Sequence, residues 1–467
     1  MDLAIQNSHW QFASAIESDD KVQEALRKSP QIALYRCPEE NFLFLGPRQV
    51  GKTTQLKIWI RELIQQGINP RNILYFTCEP LKERKDLIEL IAQFDILSRP
   101  IPGRKYVFLD EITYVSDWEI GLKYLLDSPL GKEKVIVATG SNASALKAGV
   151  ERLPGRHIKV RLFLPLSFRE YIEFFGSKKL KEVLQSIHLD SRDLSNRQTL
   201  IEAVSRIYPF QMELMEKLFL FFQTGGYLKS IFEYQQANRI QSETFEIYVK
   251  WILGDLSKFD RREEIFRSVI SGIIRTQSSR FSLNTFSKDM AIPSHVTTQD
   301  YLSLLENIVL IHQLFQLDPS SLNTLYRKER KVYFRDPFLY SAFKGYINGY
   351  YKNYSENQEP YLIETIICEC LSRLSSNSAS NLMLLNGLWF FSGKKETDFV
   401  FNNNPEKRSL VGIEVKWQNN VSIKDFQNPG LFTNRILVSK NTLSLEKDTL
   451  IIPGCLFLVL FCDTLRN

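Results

Sequence analysis

The residues best placed to do chemistry lie in GPRQVGKTT, Gly46 to Thr54. Its spacing is G-x-x-x-x-G-K-T, with the apolar run FLFL before it and a helix-compatible stretch after it. Such a loop wraps its backbone N–H groups, and the first turn of the following helix, around phosphate oxygens. Gly46, Pro47, Arg48, Gln49, Val50, Gly51, Lys52, Thr53 and Thr54 are therefore the expected ATP contacts. Lys52 is expected to reach the β- and γ-phosphates and Thr53 to ligate Mg²⁺.

A second element, YVFLDE, ends an apolar strand on Asp110 and Glu111. Asp110 is expected to hold Mg²⁺ through water, and Glu111 to act as general base on the attacking water. Glu79 is the alternative base. In VIVATGSNA a third strand ends near Thr139. Asn142 is the first choice for a polar contact to the γ-phosphate or the water, with Ser141 second. Arg156, or Arg152, in ERLPGRH is the candidate arginine finger.

Towards the C-terminus, Asp398 sits in ETDFVF and Glu414 and Lys416 in GIEVKW. In a strand Glu414 and Lys416 share a face. With Glu364 upstream, and Glu369 nearby, Asp398 and Glu414 form a candidate Mg²⁺ site. The metal would activate water against a phosphodiester, and Lys416 would orient the nucleophile. The competing readings are an exposed charged strand pair and a degenerate nuclease fold kept for binding.

Apolar runs at 42–45, 73–76, 106–109 and 135–138, each followed by a turn and a helix-compatible stretch, predict an α/β fold with a parallel sheet. A further strand is expected over 158–164, and a helix from Asp19–Asp20 to about Lys28. Residues 166–250 are helical in period. Residues 260–310 predict short helices including a helix-turn-helix, and 311–335 a hairpin around DPSSLN, a wing. Arg327, Lys328, Arg330 and Lys331 beside it could touch DNA phosphates. His295, Thr297, Thr298 and Gln299 of the expected recognition helix are polar but not basic. A mobile loop is expected over 373–381, strands at 387–391, 397–401, 410–417 and 434–438, and a buried strand over Cys455–Cys462.

The chain has 467 residues, 44% hydrophobic and 24% charged, which excludes disordered and collagen-like classes. A net charge of +6 permits nucleic-acid contact without requiring it. The six cysteines form no C-x-x-C pair and predict reduced thiols. The N-terminus shows no signal-peptide pattern, and no apolar run is long enough to span a bilayer, so a cytoplasmic protein without membrane contact is expected.

GPRQVGKTT, YVFLDE, TGSNA, LPGR and LPLSFREY together resemble a prokaryotic family of AAA-type ATPases. Its members join the ATPase to a helical and winged-helix region and a C-terminal domain similar to PD-(D/E)xK nucleases. TGGYLKSIF resembles the family's Gly-Gly-aromatic-Pro segment, with Leu228 where Pro is usual. YLIETIICE and TDFVF…GIEVKW resemble its C-terminal signature. The resemblance implies an ATPase domain over 1–165, a helical lid over 166–250, a winged helix over 251–350 and a nuclease-like domain over 351–467. The implied partners are ATP and Mg²⁺, with DNA, protein partners and further copies of the chain left open.

Overall fold

The computed structural model describes residues 2–28, 35–141, 158–257, 259–352, 354, 356–376, 387–393, 395–404, 409–426 and 430–462. The chain separates into two compact units, Met1–Leu164 and Pro165–Leu465.

The first unit holds five strands, β1 (Asn41–Leu45), β2 (Ile73–Thr77), β3 (Lys105–Asp110), β4 (Lys134–Gly140) and β5 (Ile158–Leu162). They run parallel in the order β2-β3-β4-β1-β5. The inner strands are apolar on both faces because helices cover both sides of such a sheet. β4 lies between the strand that leads into the glycine-rich loop and the strand that ends on Asp110. The registers Leu45↔Gly140 and Thr77↔Asp110 bring the strand ends level, so the loops that follow converge at one edge. The opposite problem, an unpaired edge, arises at β2. Side chains of the N-terminal segment close it: Asn7 donates to Tyr75 O (2.9 Å) and accepts from Tyr75 N (2.7 Å). Gln6 accepts from Thr77 N (2.8 Å), and Trp10 donates to Ile73 O (2.7 Å). This side-chain ladder blocks pairing with another chain. The helix Asp20–Lys28 follows, with Asp19 accepting from Lys21 N at 3.0 Å.

The second unit begins with helices and then passes through Glu263–Thr276, Leu283–Asp289 and His295–Asn307 to a hairpin, β6 (Ile311–Leu317) and β7 (Thr324–Phe334). The helix Pro337–Asn348 and the long helix Glu359–Ser376 come next. Then follow β8 (Leu388–Ser392), β9 (Glu396–Asn404), β10 (Ser409–Lys416), β11 (Asn434–Ser439), β12 (Ser444–Glu446) and β13 (Thr449–Pro453). All eight strands form one mixed sheet, β12-β13-β11-β10-β9-β8-β6-β7. The segments expected as separate parts over 166–250, 251–350 and 351–467 thus share one unit, because the hairpin extends the C-terminal sheet. Leu317 of β6 joins Val400, Leu410, Leu437 and Ile451 in one apolar cluster.

Two local expectations are corrected. Cys455–Cys462 is not a strand: Gly454–Phe461 is a helix buried on every side. A short run that is apolar at every position carries no period to tell helix from strand, and Pro453 at its N-cap favours the helix. The helix Glu359–Ser376 also runs through the first residues of the loop expected over 373–381. Arg373 anchors it there by pairing with Glu369 at 2.8 Å. The remainder of that loop, from 377, lies outside the described residues.

The glycine pair in TGGYL meets LPLSF in the fold. Leu166 N donates to Gly226 O (2.9 Å), and Gly226 N donates to Asp336 Oδ2 (2.8 Å). Nearby, Glu369 accepts from Arg335 and Arg373 and contacts His312, and Arg373 reaches Glu170 at 3.5 Å. Five distant segments are locked by this buried polar network.

Candidate nucleotide site and the C-terminal carboxylate cluster

The glycine-rich loop runs from the end of β1 into the helix Lys52–Gln65. Gly46 is required by packing: a Cβ there would lie 2.0 Å from Phe163 O. Gly51 sits at φ +102°, where a side chain would be strained, and no side chain caps the helix it opens. Lys52 is buried, and its ammonium donates to Gly46 O (2.9 Å) and Pro47 O (3.0 Å). The loop is therefore curled around its own lysine. Arg48 reaches the Tyr114 hydroxyl at 3.4 Å.

Asp110, at the end of β3, is tied by three hydroxyls. Thr53 donates to its Oδ2 at 2.7 Å, Tyr75 to Oδ2 at 3.1 Å, and Thr139 to Oδ1 at 2.6 Å. Burial pushes the Tyr75 phenol well above its ordinary range, and the Asp110 charge adds to this, so the hydroxyl stays a donor. Glu111 adopts φ +54°, which turns its side chain out of the strand direction. Its carboxylate accepts from Ser141 Oγ (2.7 Å) and Ser141 N (3.1 Å) and lies 3.8 Å from the Lys52 ammonium. Its own N–H donates to Thr139 Oγ1 (3.0 Å). Lys52, Thr53, Asp110, Glu111 and Ser141 thus come together. Glu79 is exposed and makes no part of this group. Asn142, Arg152 and Arg156 lie outside the described residues.

The donor set suits Mg²⁺-ATP. A hydroxyl and a carboxylate 2.7 Å apart offer hard oxygen ligands, and an ammonium beside uncapped helix N–H groups suits phosphate. Tyr75 and Thr139 are site residues that motif spacing does not reveal. Thr139, the residue before the Gly-Ser turn, carries a signal in its position at a strand end, whereas Tyr75 has none.

The C-terminal cluster forms where β9 and β10 part. Their ladder ends at Phe399↔Ile413. Beyond it, Asp398 Oδ2 accepts from Val415 N (3.0 Å), and Glu414 Oε2 accepts from Asp398 N (3.3 Å). Lys416 pairs with Glu414 Oε1 at 2.7 Å. The second oxygen of Asp398 faces a residue that the sequence pointed elsewhere. Lys331 of β7, only 1% exposed, lies 2.9 Å from Asp398 Oδ1 and 2.6 Å from Glu396 Oε1. Burial pulls the Lys331 ammonium down, but Asp398, Glu364 and Glu396 outweigh it and hold it charged. Glu364, on the long helix, accepts from the Tyr333 hydroxyl at 3.1 Å. Burial raises Glu364 and Glu414, and the Asp398 charge raises both further.

Asp398, Glu414 and Glu364 lie in one cluster, in which each oxygen of Asp398 and Glu414 faces a protein N–H or ammonium. Among the described residues no group of three or more His, Cys, Asp and Glu is arranged to hold a metal. Nor do Arg327, Lys328, Arg330 and Lys331 form one basic surface. Arg330 is buried and donates to Gln313 Oε1 (2.9 Å), to Gln299 and to Tyr326 O (3.2 Å). Arg327 and Lys328 are exposed. In the helix His295–Asn307, Thr298 is buried against Ser287 and Gln299 turns to Arg330, which leaves His295 exposed and Thr297 half-buried. The β6–β7 register breaks between Leu325 and Arg330, which leaves Tyr326, Arg327 and Lys328 outside the ladder and exposed, whereas Arg330 and Lys331 lie in the paired part and are buried.

Among the described residues no helix is long and apolar enough to cross a membrane. Residues 39–172 match a family model described as an AAA domain, and residues 215–348 match one described as a domain of unknown function. An uncharacterized protein of Haemophilus influenzae is 27% identical over 289 residues, which is 58% of this chain and 62% of that protein. The chain thus spans less than two thirds of the length of this curated relative. Among solved structures, the Aeropyrum pernix Orc1 protein in complex with DNA aligns at 13% identity and TM-score 0.29, covering 69% of this chain and 91% of that one. The Thermotoga maritima RuvB Holliday junction branch migration motor aligns at 15% identity and TM-score 0.24, covering 63% and 89%. Residues 39–172 are thus similar to an AAA domain, and the parallel sheet and glycine-rich loop of the first unit agree with that similarity.

Proposed function

We propose that the first unit binds ATP with Mg²⁺ and hydrolyses it. The observation that carries this reading is the convergence of Lys52, Thr53, Asp110, Glu111 and Ser141 at one sheet edge. Lys52 exchanges the carbonyls of Gly46 and Pro47 for the β- and γ-phosphates. Thr53 and Asp110 would hold the metal, with Tyr75 and Thr139 fixing the carboxylate. Mg²⁺, when bound, offsets the phosphate charge that grows during transfer. Glu111 accepts the proton of the attacking water, and Ser141 sets its direction. Asn142 and Arg156 keep the roles of γ-phosphate contact and arginine finger within this proposal.

The test is a calorimetric titration of ATP with Mg²⁺ into the full chain and into Lys52→Ala. Lost charge-assisted phosphate contacts cost about 1.5–3 kcal/mol each, so affinity should fall by at least about tenfold. Equal affinity in the two proteins would remove the assignment.

A second reading concerns DNA. Tyr326, Arg327 and Lys328 stand exposed in a row on β7, an aromatic face beside two cations, which suits contact with phosphates and bases.

A further inference from the structure

The C-terminal cluster gathers four carboxylates, Glu364, Glu396, Asp398 and Glu414, with two lysines, Lys331 and Lys416. Protein cations face three of these carboxylates directly. Both oxygens of Asp398 and both of Glu414 are engaged, and Lys331 bridges Asp398 and Glu396 at 2.9 and 2.6 Å. Arg280 closes the outer side, pairing with Glu396 at 3.2 Å and Glu329 at 2.8 Å. The bridging ammonium does not belong to the strand pair that carries the carboxylates. It comes from β7, the far strand of the hairpin, nearly seventy residues earlier in the chain.

We propose that Lys331 is the built-in counter-ion of the Asp398–Glu414 cluster, occupying the place at which a divalent cation would otherwise bind and so making the cluster metal-independent. The geometry supports this in three ways. The ammonium is almost wholly buried, so water cannot take over its role cheaply. It touches the one Asp398 oxygen that the backbone leaves available. A dication on that oxygen would stand next to a fixed positive charge in a poorly screened site, which opposes binding. The hairpin is thereby part of the cluster, and a lysine that reads as a DNA contact serves inside the fold. This inference is independent of the nucleotide site, which lies in the other unit.

The test uses the nucleotide-free full chain and Mn²⁺ alone, with bound metal read by electron paramagnetic resonance. The proteins are wild type, Asp398→Asn, Lys331→Met and the double variant. Wild type and Asp398→Asn should bind Mn²⁺ equally weakly. Lys331→Met should gain one site at least about tenfold tighter, lost again in the double variant. Asp398-dependent binding in wild type, or no gain in folded Lys331→Met, would overturn the proposal. If Lys331→Met does not fold, wild type decides through amine labelling read by mass spectrometry. Lys331 should stay protected at millimolar Mn²⁺, and metal-induced labelling would show that a cation displaces it.

Discussion

At the scale of single residues, Glu111 shows how a motif position acquires a job. The strand ends on Asp110, and the left-handed backbone at Glu111 swings its carboxylate to Ser141 and towards Lys52. Replacing it by Gln keeps the shape and the contact to the Ser141 hydroxyl but removes the proton acceptor. Glu111→Gln should therefore bind ATP nearly as wild type while turnover drops by about 10²–10⁴-fold. Steady-state phosphate release alongside nucleotide titration checks this. Wild-type turnover would move the base to another residue. Ser141→Ala should act more mildly, lowering kcat about tenfold or less, since it frees the carboxylate's direction without removing its chemistry. An unchanged kcat would show that Ser141 does not orient Glu111.

At the scale of elements, the hairpin divides its basic run between two environments. Arg330 points inward to Gln299 and Gln313 and lies 5.0 Å from the Phe315 ring. Arg327 and Lys328 point outward. Arg330→Glu should destabilise the second unit by about 3–5 kcal/mol, since it leaves buried partners facing the wrong charge. Arg327→Glu with Lys328→Glu should change stability by about 0.5 kcal/mol or less. If β7 faces DNA, the same pair should reduce the salt-dependence slope of binding by roughly one per lost phosphate contact. Urea unfolding and a salt titration separate these outcomes, and a large stability loss in the exposed pair would contradict the strand's orientation.

At the scale of the molecule, pH should act through groups that the fold buries. His312 is lowered from 6.5 to about 4 by burial and by the nearby Arg335 and Arg373, against the pull of Glu369. The unfolded chain binds this proton below about pH 6.5 and the folded chain does not until about pH 4. The contribution of His312 to the stability of the second unit is thus full above that window and declines as pH falls through it, whereas Glu364, Glu414 and Asp336, raised by burial, act in the opposite sense. The ceiling is about 3 kcal/mol for such a shift. His312→Gln, which can still donate to Glu369, should gain stability relative to wild type as pH falls from 6.5 to 4.5, in urea unfolding at a series of pH values. A difference that does not change with pH would assign the effect to other groups.

The sequence by itself determined the first unit's strands and the nucleotide loop. Short apolar runs that alternate with turns and helix-compatible stretches read as strands covered on both faces, and G-x-x-x-x-G-K-T fixes local backbone and side-chain placement within a few residues. It also put Glu414 and Lys416 on one face of a strand, because alternation along a strand is a local rule. Tertiary structure alone decided what Asp398 and Glu414 face. Lys331 and Asp398 are distant in the chain, and nothing in the run RKERK tells which cations turn inward until β7 joins the sheet. The same holds for Cys455–Cys462, whose uniform apolarity leaves helix and strand equally open until packing on every side selects one. Local spacing is written in neighbouring residues, whereas charge partners and burial belong to contacts between distant segments, which exist only once the chain has folded.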